Sequence, residues 1–271
     1  MRLFILSFLL FFTAAAWASE TQAPPLPRKS CAYILPYGTP SHKYTNYAHI
    51  CRHAYVLEYS GIYKIPLWTA HILHPEYTVG CRDRDDSFSV DRSIPKSFRS
   101  TPSDYEGTVY DKGHMVSSAD MAWDGLTMRE TFIMTNITPQ LQGFNRGIWR
   151  KLEDQTRAWA QERKHTLLVY SGVIQPDTTY AIGRNGIAVP SGFFKVVVDT
   201  ATNEVLAFRF PHTPIRADMT RFLVDIEDIE RDAGIRLPLP SGYVIGRELW
   251  PSRLKSTKIA KSIVCTARGS E

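Results

Sequence analysis

The sequence predicts an α+β fold, a single mixed domain in which a central antiparallel sheet is flanked by helices. A hairpin-like pattern in the first third, β-branched runs between residues 166 and 210, and two helical stretches predict it. No internal repeat and no linker rich in Gly or Ser divides the chain. Its 271 residues, 44% hydrophobic and 12% aromatic, are enough for one large core and exclude general disorder.

The chain opens with a pattern typical of an export signal. Met1 and Arg2 precede an apolar run over residues 3–16, and a small-x-small motif ends at Ala18. The run is too short to span a bilayer, although a retained membrane anchor is the alternative. We expect residues 1–18 to be a signal peptide, residues 19–271 to form the domain, and the protein to be secreted or periplasmic, with no membrane association after cleavage.

The four cysteines, Cys31, Cys51, Cys81 and Cys265, indicate disulfide chemistry. An even number in an exported protein favours two disulfides, and no pair has the close spacing of a zinc site. Three pairings are possible. Our preference is Cys31–Cys265, which would tie the termini together, with Cys51–Cys81.

The first half of the chain predicts a hairpin followed by a long loop. Residues 19–43, rich in Pro, Ser, Thr and Lys, are expected to form an extended entry segment. Residues 54–59 and 67–73 are β-branched and aromatic with a Gly between them, which is typical of a β-hairpin. The polar stretch 80–110 predicts a loop, and long loops in compact domains are usually functional.

The second half combines two helices with several strands. One helix is predicted over residues 145–164. Another is predicted over residues 219–233, where apolar residues recur at helical spacing and Gly234 supplies a stop. Runs of β-forming residues between the two helices predict strands at residues 166–174, 187–190, 193–198 and 205–210.

The first predicted helix contains residues suited to a metal and a phosphate. Asn145, Glu153 and Arg157 recur at multiples of four, and each step of four turns about 40° around a helix, so they form one slowly drifting stripe. Amide and carboxylate oxygens suit Mg²⁺, which keeps several waters, and a guanidinium suits a phosphate. On spacing alone, a solvated helix face is the favoured interpretation.

A histidine in the segment 111–114 is a candidate base. His114 follows Gly113, and a glycine permits close approach of another segment. An imidazole can take a proton from water near neutral pH, although a lone histidine is weak evidence for catalysis. We interpret His71 and His74 as structural or surface residues, because no carboxylate ligand accompanies their spacing.

Four segments follow one another along the chain: DKGH at 111–114, NITPQ at 136–140, NRGIW at 145–149 and LE at 152–153. Taken together, they resemble the DNA/RNA non-specific endonuclease family, the ββα-metal group that includes secreted bacterial nucleases and mitochondrial endonuclease G. The resemblance covers roughly residues 50–240 and is close to the secreted bacterial branch. It implies a ββα-metal active-site motif and Mg²⁺-dependent hydrolysis of DNA and RNA phosphodiester bonds with little sequence preference, leaving 5′-phosphate ends; Mn²⁺ is a possible substitute. Outside the motif, residues 52–55, 189–191 and 224–227 also resemble segments of this family.

The resemblance implies a catalytic centre with four members. His114 would be the general base, and Asn145 would be the direct Mg²⁺ ligand. Glu153 would orient water bound to the metal. Asn136 would support the site by hydrogen bonding.

The resemblance also implies groups that bind the phosphate. Arg84 and Arg157 would bind substrate and stabilise the transition state, with Arg82 as the alternative to Arg84. Lys112 would bind substrate where the family has Arg. A lysine keeps the charge but lacks the bidentate fork, which puts activity or substrate preference in question.

Two other functions and several partners stay open. An exported DNA-binding protein without catalysis and a phosphodiesterase acting on small phosphate diesters are the alternatives. The expected partners are DNA and RNA, with a possible homodimer and a possible protein inhibitor. The formal charge of +5 fits an anionic partner but is weak evidence alone. Lys195, Arg247 and residues 255–261 could extend a nucleic-acid track, although a solvated surface is favoured.

Overall fold

A seven-stranded sheet is the centre of the fold in this computed structural model, which describes residues 31–80 and 82–253. The strands are β1 (Ser41–His42), β2 (Tyr47–Cys51), β3 (Tyr55–Ser60), β4 (Pro66–Leu73), β5 (Tyr110–His114), β6 (Ile137–Leu141), β7 (Leu167–Ile182), β8 (Ile187–Asp199), β9 (Glu204–Pro211), β10 (Ile235–Arg236) and β11 (Val244–Ile245). The sheet has the order β11-β9-β8-β7-β4-β3-β2, and β5–β6 and β1–β10 form two small ribbons. All pairs are antiparallel except β11 with β9, so the predicted α+β fold with a central antiparallel sheet is confirmed.

The predicted strands are present, and two of them are joined. The hairpin is formed by β3 and β4. The predicted strands 187–190 and 193–198 are one continuous strand, β8. Gly192 suits this continuous strand, because a Cβ there would overlap the carbonyl oxygen of Phe210 on the neighbouring strand. The stretch 82–109 lacks strands of the sheet, as expected of a loop.

The first predicted helix starts later than expected. A short turn α2 (Gln142–Phe144) is followed by a π-helical turn (Asn145–Trp149), and the regular helix α3 covers Arg150–Arg163. Gly147 has φ −98° and ψ −113°, outside the helical region, which kinks the chain. Lys164 then ends α3 in the left-handed conformation, with φ 56°.

The second predicted helix is broken. Met219–Phe222 is a 3₁₀ turn, and the α-helix is confined to Ile226–Ala233. Between them the amide of Val224 donates to the carbonyl of Ala207 on β9 at 3.0 Å, so this backbone pairs with the sheet instead of continuing a helix. Gly234, with φ 66°, ends the helix as predicted. In chain order, Gly125–Thr131 is α1 and Ile226–Ala233 is α4.

The sheet buries both of its faces, and α3 lies on one of them. Along β7 the side chains alternate between the two faces. Leu167, Val169 and Val173 pack on the α3 side with Leu152 and Trp159 of that helix. On the opposite face, residues of α4 pack against the sheet: Leu168, Tyr170 and Ile174 meet Ile226 and Ile229. The position of α3 is therefore fixed by the core.

The disulfide differs from the preferred pairings. Cys31 is bonded to Cys51, with the two Cα atoms 5.8 Å apart. Both Cys31–Cys265 and Cys51–Cys81 are therefore wrong, because each would need a cysteine that this bond uses. The entry segment runs back beside the end of β2, a proximity that sequence distance does not indicate. Cys81, Cys265 and the expected signal peptide at residues 1–18 lie outside the described residues; within them, no helix is long and apolar enough to cross a membrane.

Removal of the disulfide tests its contribution to stability. The bond closes a segment with a sequence separation of 20, so Cys51→Ser should lower the free energy of unfolding by about 3 kcal/mol. Chemical denaturation of the oxidised protein measures this loss. Non-reducing peptide mapping should recover Cys31 linked to Cys51, and recovery of Cys31 with Cys265 would contradict the pairing.

Candidate active site

The β5–β6 ribbon and the helix after it form a ββα unit that carries His114. Within the ribbon Gly113 lies opposite Thr138, and His114 lies opposite Ile137. A Cβ on Gly113 would overlap the side chain of Gln140, so the close approach expected of this glycine is present. The indole nitrogen of Trp149 donates to the carbonyl oxygen of His114 at 3.1 Å, which fixes the helix to the strand.

Asn136 holds together the segments that flank the ribbon. Its amide oxygen accepts from the backbone nitrogen of Val116 at 2.9 Å. Its amide nitrogen donates to the carbonyl oxygens of Val116 and Thr131, at 3.0 and 2.9 Å. The side chain is fully buried and lies behind the site. Within the described residues, the hydrogen bonds of its side chain are all with backbone groups.

The imidazole of His114 is enclosed by aromatic rings. Phe132 meets it edge-on at 4.7 Å between ring centroids, and Phe88 lies 5.6 Å away. Burial, and secondarily the positive charge of Arg84, lower the pKa of His114 to about 3. The ring is therefore uncharged at neutral pH. Its Nε2 atom has no hydrogen-bond partner within the part of the chain described here.

A cavity of about 480 Å³ opens in front of His114 and collects six of the seven predicted site residues. Asn136 is the exception, since it lies behind. Arg82 borders a different depression beside α1, so Arg84 and not Arg82 reaches this site. The predicted residues that line the cavity are Arg84, Lys112, His114, Asn145, Glu153 and Arg157.

Asp111 orients the side chain of Asn145. The amide nitrogen of Asn145 donates to Asp111 at 3.0 Å, and Arg146 makes a bidentate contact with the same carboxylate at 2.8 and 2.7 Å. Burial raises the pKa of Asp111, but the hydrogen bonds from Arg146 and Asn145 outweigh it and hold this pKa below its ordinary value. With its nitrogen engaged, Asn145 has its oxygen left to bind a cation.

Glu153 and Arg157 differ in how well they are paired. Arg157 donates to Asp120 at 2.6 Å and also to Asp154, and only 6% of it is exposed. Glu153 has a buried oxygen, Oε1, that no described residue hydrogen-bonds. Burial is the main cause that raises the pKa of Glu153. Glu153, which lines the cavity, thus has an unused acceptor.

Lys195 lies beneath the site and not on the surface, so it cannot extend a nucleic-acid track. It is 1% exposed, and its ammonium group donates to the hydroxyl of Ser171 at 2.7 Å. The same ammonium is 4.4 Å from the ring centroid of Trp149. Its positive charge opposes the rise that burial causes in the pKa of Glu153. His71 is also internal and lies 3.1 Å from Asp120, in keeping with a structural role.

The sequence matches the family model of the DNA/RNA non-specific endonucleases over residues 35–239. The chain belongs to the DNA/RNA non-specific endonuclease family. The predicted membership and the predicted enzyme class, a hydrolase of nuclease type, are confirmed.

Several relatives in this family resemble most of the chain. Human mitochondrial endonuclease G is 32% identical over 199 residues, which are 68% of this chain and 67% of the relative. Nuclease C1 of Cunninghamella echinulata var. echinulata is 31% identical over 219 residues, 74% of this chain and 86% of the relative. A crystal structure of an EndoG/EndoGI complex superposes with a TM-score of 0.68 at 29% identity, covering 76% of this chain and 89% of that chain.

Ten further residues of this nuclease border the cavity, and three of them illustrate what the sequence analysis missed. Asp111 stands inside the recognised motif, so its position was available as a signal. Arg150 is exposed at the first turn of α3, and its side chain has no ion pair with any described residue. Tyr105 lies in the long loop, where no periodic pattern marks a residue as internal.

Removal of the Arg84 charge should raise the pKa of His114. Arg84→Gln takes away a cation that disfavours the imidazolium, but burial is the larger cause, so this pKa should stay below the ordinary value of about 6.5. NMR titration of the imidazole protons measures it, with Arg82→Gln as the control that should change nothing. An unchanged pKa in Arg84→Gln would refute the electrostatic contact.

The lowered pKa of His114 also makes the stability of the folded state depend on pH. The folded-state pKa of His114 is below its unfolded value, so the stability that depends on the uncharged ring is complete above a pH of about 6.5. It is lost as the pH falls towards about 3.

Proposed function

We propose that this chain is a secreted or periplasmic, Mg²⁺-dependent endonuclease that hydrolyses phosphodiester bonds of DNA and RNA with little sequence preference and leaves 5′-phosphate ends. The observation that carries the proposal is one cavity that brings together the uncharged imidazole of His114, the side-chain oxygen atoms of Asn145 and Glu153, and several cationic side chains. A base that activates water and charges that stabilise a phosphate are what this hydrolysis requires. The pattern of residues 1–18 supports export.

His114 is the proposed general base. Its Nε2 atom, free of other hydrogen bonds among the described residues, accepts a proton from water. That water attacks phosphorus in line with the departing 3′ oxygen. The indole of Trp149 holds the backbone at His114, and the buried amide of Asn136 holds it two residues later at Val116, so the base keeps its position during the reaction.

The side-chain oxygen atoms in the cavity are suitable ligands for a hard divalent cation. Asn145 offers a neutral oxygen whose direction Asp111 fixes, and Glu153 has a buried oxygen without a partner in the described chain. Asn145 would hold the ion directly, and Glu153 would accept hydrogen bonds from water around it, an arrangement that suits Mg²⁺ and also Mn²⁺. When bound, the ion supplies a Lewis acid for the charge that develops on the phosphate.

Five basic side chains line the cavity. Arg146 is paired with Asp111, and the other four are the candidates for contact with the phosphate. Arg84 is held by hydrogen bonds to Asp86 and Ser118, at 2.6 and 3.0 Å. The ammonium of Lys112 lies 5.1 Å from the ring centroid of Phe88. Arg157 is fixed by two carboxylates, whereas Arg150 is exposed. We assign Arg84 and Arg157 to the transition state and Lys112 and Arg150 to substrate binding.

The proposed macromolecular partners are DNA and RNA. A protein inhibitor is a further proposal, supported by the solved EndoG relative in complex with EndoGI. The possible homodimer stays a prediction. Catalytic inactivity and restriction to small diesters are outcomes of the assay below.

Cleavage of plasmid DNA and RNA tests the function. Both polymers should be degraded with Mg²⁺ and spared with EDTA, and His114→Ala should lower the rate by about 10²- to 10⁴-fold because the general base is lost. The control is His165→Ala, whose ring contacts Asp199 beyond the far end of α3. Product ends should accept a label from polynucleotide kinase only after phosphatase treatment.

Two results would contradict this function. DNA retardation without cleavage in Mg²⁺ would favour the binding protein. Cleavage of a chromogenic diester with intact polymers would favour the small-molecule phosphodiesterase.

The rate at low substrate concentration should fall as salt rises, because binding depends on phosphate contacts. Arg150→Gln should reduce the slope of log kcat/KM against log salt by about 1, the loss of one phosphate contact. Arg231→Gln is the charge-matched control, because Arg231 lies on α4 at the opposite face of the sheet. Equal slopes in the wild-type protein, Arg150→Gln and Arg231→Gln would show that Arg150 does not contact the phosphates of the substrate.

A further inference from the structure

A second depression lies beside the first turns of α3, outside the cavity. Its volume is about 480 Å³, and it shares no lining residue with the cavity. Consecutive residues of a helix point about 100° apart, so Arg150 lines the cavity while Lys151 lines the depression. One turn further on, Asp154 lines the cavity and Gln155 lines the depression. The proposed function leaves this depression unexplained.

Two cations in the depression lack an anionic partner. Lys151 and Arg216 are exposed, and neither forms an ion pair with a described residue. Asp218 is the one carboxylate among the described lining residues, and it accepts a hydrogen bond from the backbone nitrogen of Thr220 at 2.8 Å. The described lining of the depression therefore has a net positive charge.

The segment that leads to Arg216 is held against the start of the helical region. The backbone nitrogen of Leu141 donates to Nε2 of His212 at 2.8 Å. A Cβ on Gly143 would lie only 2.9 Å from the side chain of Pro214, so the two segments pack closely. The fold thereby sets the position of this segment, and with it Arg216, at the edge of the depression.

The arginines around α4, on the opposite face of the sheet, are neutralised by carboxylates. Four exposed arginines there form ion pairs at 2.6 or 2.7 Å. The pairs are Arg209 with Asp232, Arg231 with Asp228, Arg236 with Glu230 and Arg247 with Asp225. Arg247, a candidate for a nucleic-acid track from the sequence, is thus already paired. The unpaired cations Lys151 and Arg216 lie instead beside α3, next to the cavity, and can attract a polyanion there.

We propose that Lys151 and Arg216 bind a second phosphate of the nucleic acid, outside the cavity in which cleavage takes place. This inference rests on the proposed function. A nucleic acid carries phosphates at regular intervals beyond the cleaved bond, and cations without carboxylate partners can bind them without breaking an ion pair. A phosphate contact carries no information about the bases, in keeping with cleavage that has little sequence preference.

A variant that combines Lys151→Gln with Arg216→Gln tests the second contact. We expect KM for plasmid DNA to rise about 3- to 30-fold, the range for two exposed ionic contacts. The value of kcat should stay unchanged, because a contact away from the reacting phosphate stabilises the bound substrate and the transition state equally. The slope of log kcat/KM against log salt should fall by about 1. An unchanged KM, or a lower kcat at unchanged KM, would overturn the proposal.

The matched control combines Arg231→Gln with Arg236→Gln. It removes the same two charges from the opposite face of the sheet, so KM and the salt slope should stay as in the wild-type protein. An equal rise of KM in this control would attribute the effect to net charge and overturn the proposal. The variant at Lys151 and Arg216 should unfold at the wild-type temperature, because neither side chain has an ion pair to lose. A lower unfolding midpoint together with the higher KM would mean a structural role and also overturn it.

Duplexes with a single methylphosphonate linkage locate the second phosphate. This linkage lacks the negative charge of one phosphate. At one position, in either strand, it should slow cleavage of a fixed bond by the wild-type protein and have no effect with the variant at Lys151 and Arg216. If no position distinguishes the two proteins, the second contact does not exist.

The failure of this inference can be told apart from the failure of the proposed function. If the wild-type protein cleaves DNA and the variant at Lys151 and Arg216 has the same KM, only this inference fails. If the wild-type protein cleaves nothing, the proposed function fails and the inference with it.

Discussion

The position of one indole determines the geometry of the site. Trp149 is 1% exposed, donates to the backbone of His114 and covers the ammonium of Lys195, so the ribbon, the helix and the sheet meet at this ring. Asn145 and Glu153 lie four residues before and after it. Fixing the indole therefore fixes the positions of Asn145 and Glu153 relative to the imidazole. Catalysis depends on such preorganisation.

Beneath this indole the protein keeps its buried charges in close balance. Asp120 is shared by Arg157 and His71, and Asp154 closes the other side of the guanidinium. Removing charges from water is costly unless each finds a partner. Within the described chain, Nδ1 of His71 and Oε1 of Glu153 have no hydrogen-bond partner, and of these two residues Glu153 lines the cavity.

Much of this arrangement could be predicted from the sequence, because its signals are local. Alternating apolar residues predicted the strands, and the motifs placed Lys112, Asn145 and Glu153 in one cavity with His114. The wider family resemblance added Arg84 and Arg157. The regular helix assumed for Asn145 to Arg157 was wrong in detail, since Gly147 breaks its first turns.

The predictions from sequence failed where tertiary contacts determine the local structure. Val224 bonds to β9, which interrupts a helix that spacing alone favoured. Lys195 stands between Phe193 and Val197 on one face of β8, so the period of two already indicated a buried position that its charge obscured. Tyr105 and the Cys31–Cys51 bond have no such pattern, because each depends on segments that are distant in the chain.

The bond between Cys31 and Cys51 also affects the tendency of this protein to aggregate. β2 is an outer strand of the large sheet, and outer strands offer unpaired backbone groups to strands of other chains. Cys51 is its last residue, and the bond fastens the entry segment against that end. In a reducing compartment the disulfide would be reduced. The edge strand β2 would then be more exposed to pairing with strands of other molecules, which leads to aggregation. An oxidising environment therefore protects solubility as well as the folded state.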